Sequence, residues 1–335
     1  MISCILVLGC LSALAPVWCV TPLSRFAIDE QFNYFIQHHN KVYHDFQERE
    51  YRFNIFMENL QRLNEMGRFH HQHSFDFTPY MDHTLEEFLM THSGLIVNES
   101  IALCNRLTDR NIPNINAPPS HDWTKYNVVT PVKDQKDCNS CYAFSATGNI
   151  EGQFAMVYKK LLVLSEQQIV DCDKRSHGCR GGYMNNAFSS LMELGGSELE
   201  ADYPYRQHNP HPQCLLPSNR LRVKIIGCDS YRLSSQEKLK QLLYHRGPLS
   251  VAMKSEVLHM QNYKGQIIPD KYCTGEVNHG VLLVGYGEEN GIKYWLLKNS
   301  WGTSQGDQGY FRLERGEGLE SCGMMTVFIS SAIVG

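Results

Sequence analysis

The sequence predicts an α+β fold with two lobes, because helical and strand patterns occupy different parts of its second portion. Between Cys141 and about Leu194, apolar residues recur with helical spacing. After about Val223, short apolar strands separated by glycine turns replace them. A helical half followed by a strand half is typical of α+β domains. A further helical segment, from Phe26 to about Leu95, precedes this portion.

The chain begins with a stretch that predicts a cleaved signal peptide. Residues 1–19 are apolar, and their core at residues 5–14 is shorter than the ~18 residues that span a bilayer. No later segment is long and apolar enough to cross a membrane. We therefore expect a protein of the secretory pathway, resident in the lysosome or outside the cell.

The charged residues are balanced and spread along the chain. The 335 residues include 31 basic and 35 acidic side chains, which gives a net charge of −4. This balance argues against a nucleic-acid or polyanion surface.

The N-terminal helical segment has one clear amphipathic helix. Within residues 48–63, the apolar residues at 53, 56, 60 and 63 fall on one helical face. Two short sequences, Thr84-Leu-Glu-Glu87 and Ser165-Glu-Gln-Gln168, each predict a capping box at the start of a helix.

Residues 93–119 predict an extended, cleavable linker. They contain two asparagine-rich turns and the pair Pro118-Pro119. The sequon Asn98-Glu-Ser100 predicts glycosylation at Asn98. We expect the mature N-terminus near Ala117.

Three distant segments carry the groups that a cysteine peptidase needs. Gln135 lies six residues before Cys141, His279 opens an apolar run, and Asn299 stands in Lys-Asn-Ser-Trp-Gly302. A thiol, an imidazole and two side-chain amides form such a site. Taken singly, each residue has a structural alternative, because buried cysteines and histidines usually serve packing.

The local sequences around these residues resemble the papain-like peptidases, and the cathepsin F branch most closely. The motifs are Gln-x5-Cys with Cys-x-x-Cys-x-Ala-Phe, Gly178-Cys-Arg-Gly-Gly182, Asn278-His-Gly-Val-Leu-Leu-Val-Gly-Tyr-Gly287 and Lys-Asn-Ser-Trp-Gly302. The resemblance implies a papain-like two-lobed fold, with Cys141 on a helical lobe, His279 on a β-rich lobe and a cleft between them. It also implies a helical inhibitory prodomain, and the domains are a signal peptide (1–19), a propeptide (20–116) and a peptidase domain (117–335).

The resemblance implies a role for each of the four residues and requires no cofactor or metal. Cys141 would be the nucleophile at a helix N-terminus, which favours its thiolate. His279 would act as the acid and base, and Asn299 would orient its ring. Gln135 and the backbone N–H of Cys141 would form the oxyanion hole.

The nine cysteines after the signal peptide suggest disulfides, whose pairing the sequence alone does not fix. The resemblance implies three bridges: Cys138–Cys179, Cys172–Cys214 and Cys273–Cys322. It leaves Cys141 unpaired and gives no partner to Cys104 or Cys228.

Substrate is expected to pair as a short strand with Gly181 and Gly182, where missing side chains let the backbone approach. An ordinary glycine turn is the structural alternative, and both interpretations can hold. The implied specificity pocket has no charged residue, which favours Leu, Val or Phe two residues before the scissile bond. Its residues are Tyr183, Met184, Ala252, Val277, Gly280 and Val327.

The chain departs from the family pattern at four positions. Asn139 stands where glycine is usual and tolerates left-handed backbone; Lys136 also replaces a glycine, and Tyr142 and Gln305 replace tryptophans. These departures motivate an alternative, a catalytically weak homologue that acts as a binding protein. A third hypothesis is a metal-binding protein, since Cys138-Asn-Ser-Cys141 and His70-His-Gln-His73 have ligand-like spacing.

The leading hypothesis is a cysteine endopeptidase made as a zymogen. Its expected partners are protein or peptide substrates, its own propeptide as inhibitor, and cystatin-type inhibitors. Eight of the 15 histidines lie in the propeptide, so acidification would charge several of them and loosen this domain. The alternative is that they titrate in solvent without consequence. The eight are His38, His39, His44, His70, His71, His73, His83 and His92.

Overall fold

Helices precede most of the strands in the computed structural model, as the sequence pattern predicts. The structure describes residues 24–65, 77–97, 103–207, 214–216, 223–260 and 263–335. The predicted signal peptide and the sequon at Asn98 lie outside these residues. None of the helices in the described ranges is long and apolar enough to cross a membrane.

The chain forms two compact units, of which the first ends at Tyr43 and the second runs from His44 to Gly335. The first unit contains helix α1 (Arg25–His38). This helix begins at Ser24, whose hydroxyl accepts a hydrogen bond from the backbone N–H of Ala27. Such a cap satisfies one of the free N–H groups at a helix start.

The second unit contains six helices in its described residues. The helices are α2 (Phe46–Glu65), α3 (Leu85–His92), α4 (Cys141–Tyr158), α5 (Glu166–Cys172), α6 (Met184–Leu194) and α7 (Gln236–Arg246). Five of these α-helices lie within the predicted helical segments, whereas α7 lies in the half for which only strands were predicted.

The described strands form one mixed sheet in the second unit. The strands are β1 (Asn105–Thr108), β2 (His121–Asp122), β3 (Ile225–Arg232), β4 (Leu249–Met253), β5 (Ile267–Ile268), β6 (His279–Glu289), β7 (Ile292–Lys298), β8 (Tyr310–Glu314) and β9 (Ile329–Val334). Their order in the sheet is β1-β3-β9-β4-β6-β7-β8-β5, and β2 pairs with β6.

One of the two predicted capping boxes forms completely. Thr84 Oγ1 accepts from the backbone N–H of Glu87, and Glu87 Oε2 accepts from the N–H of Thr84. The second prediction is half wrong. Ser165 caps α5, but the side chain of Gln168 bonds to the backbone of Gly196 and Glu198 instead. A buried amide takes such partners because it must satisfy both its donor and its acceptor.

The predicted apolar face of α2 is buried, at Phe53, Phe56, Leu60 and Leu63. Its polar residues bind the chain that leads into α3. Arg52 donates to the carboxylate of Glu87 and to Asp82 O, and Asn59 donates to Met81 O and His83 O. These bonds join α2, α3 and the turn directly before α3 into one packed element.

Helix α4 lies between two apolar cores, and most of its residues are buried. Gly148 brings it close to the sheet, since a Cβ there would lie 3.1 Å from Leu282. Ser145 Oγ also donates to Val281 O on β6, at 2.7 Å. The first residue of α4 and the first residue of β6 therefore come together at one end of this contact.

A buried ionic cluster stands beside α4. Lys133 Nζ lies 3.0 Å from Glu151 Oε1 and 2.6 Å from Glu166 Oε1, and it donates to Leu164 O. Thr130 donates to the other oxygen of Glu151 and accepts from Lys298 Nζ. The two carboxylates raise the pKa of Lys133 against the opposing effect of its burial.

We expect Lys133→Met to lower the free energy of unfolding by about 3–5 kcal/mol, because it leaves two buried carboxylates without their cation. Urea unfolding measures the change. The matched control is Lys125→Met, whose side chain is 76% exposed and lies 3.5 Å from Asp122. An exposed ion pair contributes under about 1 kcal/mol to the free energy of unfolding. Equal losses in both variants would therefore contradict the role of Lys133 as the cation of two buried carboxylates.

Candidate active site

Cys141 and His279 are brought together because each is the first residue of an element that packs on the other. Cys141 begins α4 and His279 begins β6, and both side chains are fully buried. Gly280 follows His279, and a Cβ there would lie 3.3 Å from Cys141 O. A glycine at this position therefore lets the two segments approach closely.

The ring of His279 is held by Asn299 and covered by Trp301. Nε2 of His279 lies 2.9 Å from Asn299 Oδ1, which also accepts from the N–H of Ser300. Since that oxygen can only accept, Nε2 carries a proton. The other ring nitrogen, Nδ1, has no hydrogen-bond partner among the described residues. Trp301 packs on the ring with centroids 4.6 Å apart.

Gln135 is fully buried, and its amide is fixed in one orientation. Ser300 Oγ donates to Gln135 Oε1 at 2.6 Å, and Gln135 Nε2 donates to Cys138 O at 2.9 Å. Because Nε2 carries two hydrogens, one donor remains for another acceptor.

Two residues outside the predicted site, Tyr205 and Ser300, support this arrangement. The hydroxyl of Tyr205 lies 2.8 Å from both Gln135 O and Ser140 Oγ, so it ties together the residues that flank the loop before α4. Ser300 fixes the amide of Gln135. It directly follows Asn299 in the motif Lys-Asn-Ser-Trp-Gly302, so its place in the sequence could have indicated a role at the site. Tyr205 is 70 residues from Gln135, and no local pattern links them.

Both titratable groups of the site are neutral in this form of the protein. Burial raises the pKa of the Cys141 thiol to about 11, against the opposite effect of nearby backbone N–H groups that include those of Gly280 and Gly94. Burial also lowers the pKa of His279 to about 4, against the opposite effect of its bond to Asn299. Neither group is therefore charged between pH about 4 and pH about 11.

Residues 93–97, which we call the crossing segment, lie against this site. Ile96 N–H donates to Gly182 O and Gly182 N–H donates to Gly94 O, both at 2.8 Å. The N–H groups of Gly94 and Leu95 both point to Asn278 O at 3.0 Å. A Cβ on Gly94 would lie 2.2 Å from Asn139 O, so only glycine fits there. The chain's own backbone thus occupies the predicted pairing partner, Gly182.

Five of the six residues of the predicted specificity pocket belong to one apolar cluster or pack against it. Tyr183, Met184 and Ala252 are fully buried in it, and Val277 and Val327 pack against it while partly exposed. Ala252 pairs with Gly280 across β4 and β6, and Gly181 lies next to the crossing segment. Leu95 of that segment also packs against this cluster.

One of the four departures, Asn139, behaves differently from the expectation. Asn139 does not adopt left-handed backbone; its amide instead donates to Met90 O at 2.6 Å. Among the four departures, Lys136 is the residue with left-handed backbone, with φ of 50°. Tyr142 is fully buried and Gln305 lines a small cavity beside Asn299 and Trp301. Lys136 carries backbone strain because glycine would adopt this conformation more readily.

The structure contains the three disulfides that the resemblance implies, Cys138–Cys179, Cys172–Cys214 and Cys273–Cys322. A fourth joins Cys104 to Cys228, the two cysteines for which no partner was predicted. Cys141 is the free cysteine of the described residues. Since Cys138 is bonded to Cys179, it is no thiolate partner for Cys141 in a metal site. The second ligand-like sequence, residues 70–73, lies outside the described residues.

A third cluster with metal-ligand atoms consists of Asp270, Cys273 and Cys322, whose ligand atoms lie within 4.8 Å of one another. Its two cysteines form a disulfide, so they offer no thiolate to a metal ion.

Comparison with known proteins identifies the two parts of the chain. Residues 117–332 match the papain family cysteine proteases, and residues 32–88 match the cathepsin propeptide inhibitor domain. The viral cathepsin of Heliothis zea nuclear polyhedrosis virus is 36% identical over 336 residues, which cover 95% of this chain and 90% of that protein. The viral cathepsin of Spodoptera litura multicapsid nucleopolyhedrovirus is 39% identical over 309 residues, or 90% and 89% of the two chains.

Solved proforms have the same fold. Digestive procathepsin L 3 from the larval midgut of Tenebrio molitor superposes with a TM-score of 0.74 at 32% identity, over 91% of this chain and 98% of that chain. The proform of the ragweed pollen cysteine protease Amb a 11 gives 0.75 at 31% identity, over 93% and 94%. These relatives give no support to the predicted cathepsin F branch. The chain belongs to the papain family of cysteine proteases and carries the inhibitory propeptide of a zymogen.

Proposed function

We propose that this cysteine endopeptidase hydrolyses peptide bonds through Cys141, His279 and Asn299, with Gln135 as an oxyanion donor. The observation that carries the proposal is the bond of 2.9 Å between His279 and Asn299 beside a free thiol at the start of α4. It supplies a nucleophile, a base and an orienting group in one place.

Removal of the crossing segment activates the site by returning water to it. The pKa of the thiol then falls from about 11 and that of His279 rises from about 4. The N-terminus of α4 and an imidazolium at His279 both stabilise the thiolate of Cys141. Neutral in the zymogen, the pair becomes charged only after the propeptide leaves.

In the acylation step the thiolate attacks the scissile carbonyl and a C–S bond forms. The developing oxyanion accepts hydrogen bonds from the free donor on Gln135 Nε2 and from the N–H of Cys141. His279 Nδ1 gives its proton to the leaving amine as the C–N bond breaks. It then takes a proton from a water molecule whose oxygen attacks the thioester carbonyl. The C–S bond breaks, which releases the acid product and restores the thiolate of Cys141. Asn299 keeps the ring in place throughout.

The apolar cluster near Gly280 sets the preference for Leu, Val or Phe two residues before the scissile bond. Leu95 of the crossing segment packs there, which supports an aliphatic occupant. None of the predicted pocket residues offers a carboxylate to an arginine.

The proposed partners are protein and peptide substrates, the chain's own propeptide and cystatin-type inhibitors. The apolar N-terminal stretch and the four disulfides support the secretory pathway, with the lysosome or the extracellular space as destination.

We expect Cys141→Ser to lower kcat/KM for a peptide substrate by more than ~10⁴-fold, because a serine has no low-pKa conjugate base there. His279→Ala should lose nearly as much. Asn299→Ala should lose only roughly 10- to 100-fold, since a hydrogen bond to a charged group contributes about 1.5–3 kcal/mol.

Active-site titration of the processed protein with an irreversible epoxide thiol inhibitor supplies the control. One equivalent bound at Cys141 agrees with the proposal. A folded protein that binds none would favour a binding protein without activity. Hydrolysis by Cys141→Ser at the wild-type rate would show that the nucleophile is another residue.

We expect Val327→Glu to add cleavage after sequences with arginine two residues before the scissile bond, because the partly exposed Val327 borders the apolar cluster. Cleavage of a peptide library measures the profile. The matched control is Val157→Glu on α4, a side chain that is 57% exposed and outside the cluster. If Val327→Glu and Val157→Glu have the same cleavage profile, Val327 does not contact substrate.

Acid activation has a structural basis in three buried histidines. His92, the last residue of α3, stacks on Phe88 and meets the edge of Trp301. Burial lowers its pKa to about 3, and His279 and His83 nearby oppose its charge further. Burial likewise lowers the pKa of His259 to about 4, as it does for His279. His70, His71 and His73 lie outside the described residues, so a role for them stays a prediction.

The lowered pKa values of these buried histidines make release of the propeptide more favourable in acid. An exposed histidine binds a proton below about pH 6.5, whereas the buried His92 does so only below about pH 3. The released state therefore binds more protons, and docking weakens as the pH falls from about 6.5 towards 3. Each such histidine contributes up to about 1.4 kcal/mol per pH unit.

We expect His92→Phe, which keeps an aromatic ring against Trp301, to reduce the pH dependence of propeptide release. For each pH unit, the release equilibrium should change by a factor about tenfold smaller than in the unmodified chain. The measurement adds a trace of active enzyme to Cys141→Ser zymogen between pH 4.5 and 7.5 and divides the cleavage rate by the rate on a small peptide. His44→Phe, at an exposed propeptide position, should keep the original slope. An unchanged slope in His92→Phe would exclude it as a proton-linked group.

A further inference from the structure

The disulfide Cys104–Cys228 crosses the expected boundary between propeptide and peptidase. Cys104 precedes Ala117, the expected mature N-terminus, by 13 residues, whereas Cys228 lies in the middle of strand β3. The two cysteines are 124 residues apart in sequence. A cut before Ala117 therefore does not separate the two sides covalently.

Backbone pairing continues from this bridge. Strand β1 runs parallel to β3, with Asn105 opposite Asp229 and Thr108 opposite Arg232. The amide of Asn105 donates to Asp229 Oδ1 at 3.0 Å. In the strand order β1 is the last strand at this side of the sheet, so it closes the edge of β3.

The residues on either side of β1 are also bound to the peptidase domain. Leu103 N–H donates to Ser189 Oγ on α6, and Asp109 accepts from the N–H and the hydroxyl of Ser234. Ile112 is 6% exposed and lies in the apolar core with Leu239 and Leu243 of α7.

The crossing segment is held in a different way. It makes backbone bonds to Gly182 and Asn278, and Leu95 packs against the apolar cluster, but residues 93–97 contain no cysteine. The described residues of the propeptide region therefore include two different parts. The crossing segment covers the site, and the part from Leu103 onward completes the sheet.

We propose that the segment from Leu103 to Asn116 is a permanent, disulfide-linked part of the active peptidase. The processing that frees the site cuts the chain on the N-terminal side of Cys104. A cut near Ala117 alone leaves the inhibitor tethered, and a tethered inhibitor rebinds at a high effective concentration. The proposal depends on zymogen processing and is independent of the roles given to His279 and Asn299.

Intact mass measurement of the activated wild-type protein tests the composition directly. The epoxide inhibitor marks the active species, and the mass is taken without and with reduction and denaturation. We expect the unreduced mass to include Leu103–Asn116. After reduction this segment either stays at the N-terminus or leaves as a fragment, and both results agree with the proposal. An active, unreduced enzyme that begins near Ala117 and lacks the segment would overturn it.

A second experiment tests the tether without catalysis. A recognition sequence for an added, unrelated protease is placed in the exposed stretch around Asn114 of Cys141→Ser zymogen. After this single cut, gel filtration at pH 5 without reductant should show the propeptide still eluting with the peptidase domain. In the same protein with Cys104→Ser and Cys228→Ser, the propeptide should elute separately.

The control variant, Cys172→Ser with Cys214→Ser, also lacks one disulfide but keeps the bridge to Cys104. It should retain the propeptide. Release from the bridged zymogen to the same extent as from the Cys104 variant would refute the tether. If the Cys104 variant does not fold, the mass measurement still decides, because it uses the wild-type chain.

Discussion

The packing of α4 against β6 is the contact on which the site depends. Each element contributes its first residue, and these residues are a thiol and an imidazole from segments 138 positions apart. Ser145, Gly148 and the backbone of Val281 hold the two elements in register. The charged cluster around Lys133 borders the same helix and links it to Lys298, which directly precedes Asn299. A shift of α4 would therefore displace the proposed nucleophile, Cys141, and the proposed base, His279, together.

In the proposed mechanism, electrostatics and steric exclusion both keep the zymogen inactive. The crossing segment bonds to the backbone at Gly182 and Asn278, while burial leaves Cys141 and His279 uncharged. An inhibitor that only filled the cleft would leave a reactive thiolate beneath it. Here the covered thiol is also a poor nucleophile, because the thiolate is the reactive form.

The sequence predicts features whose residues lie close together along the chain, and it does not predict contacts between distant residues. The helices around Glu48–Leu63 and Cys141, the α+β order and the capping box at Thr84 follow from short-range patterns. The partners of Gln135 did not, because Tyr205 reaches it across 70 residues through a single hydroxyl. Composition also gives no pairing for Cys104 and Cys228, since the strand that brings them together forms only when distant segments pair. The left-handed backbone was expected at Asn139 because asparagine tolerates it, but the conformation occurs at Lys136, whose residue type gives no such signal.

The parallel pairing of β1 with β3 also affects how the peptidase domain behaves in solution. A recombinant chain that begins at Ala117 would lack the outer strand, so β3 would present unpaired N–H and C=O groups between Asp229 and Arg232. Exposed strand edges of this kind recruit other strands and promote aggregation. Such a chain would also carry Cys228 as an unpaired thiol at the same edge, where two copies could become linked by oxidation. Production of soluble enzyme therefore favours a chain that still contains the residues from Leu103 onward.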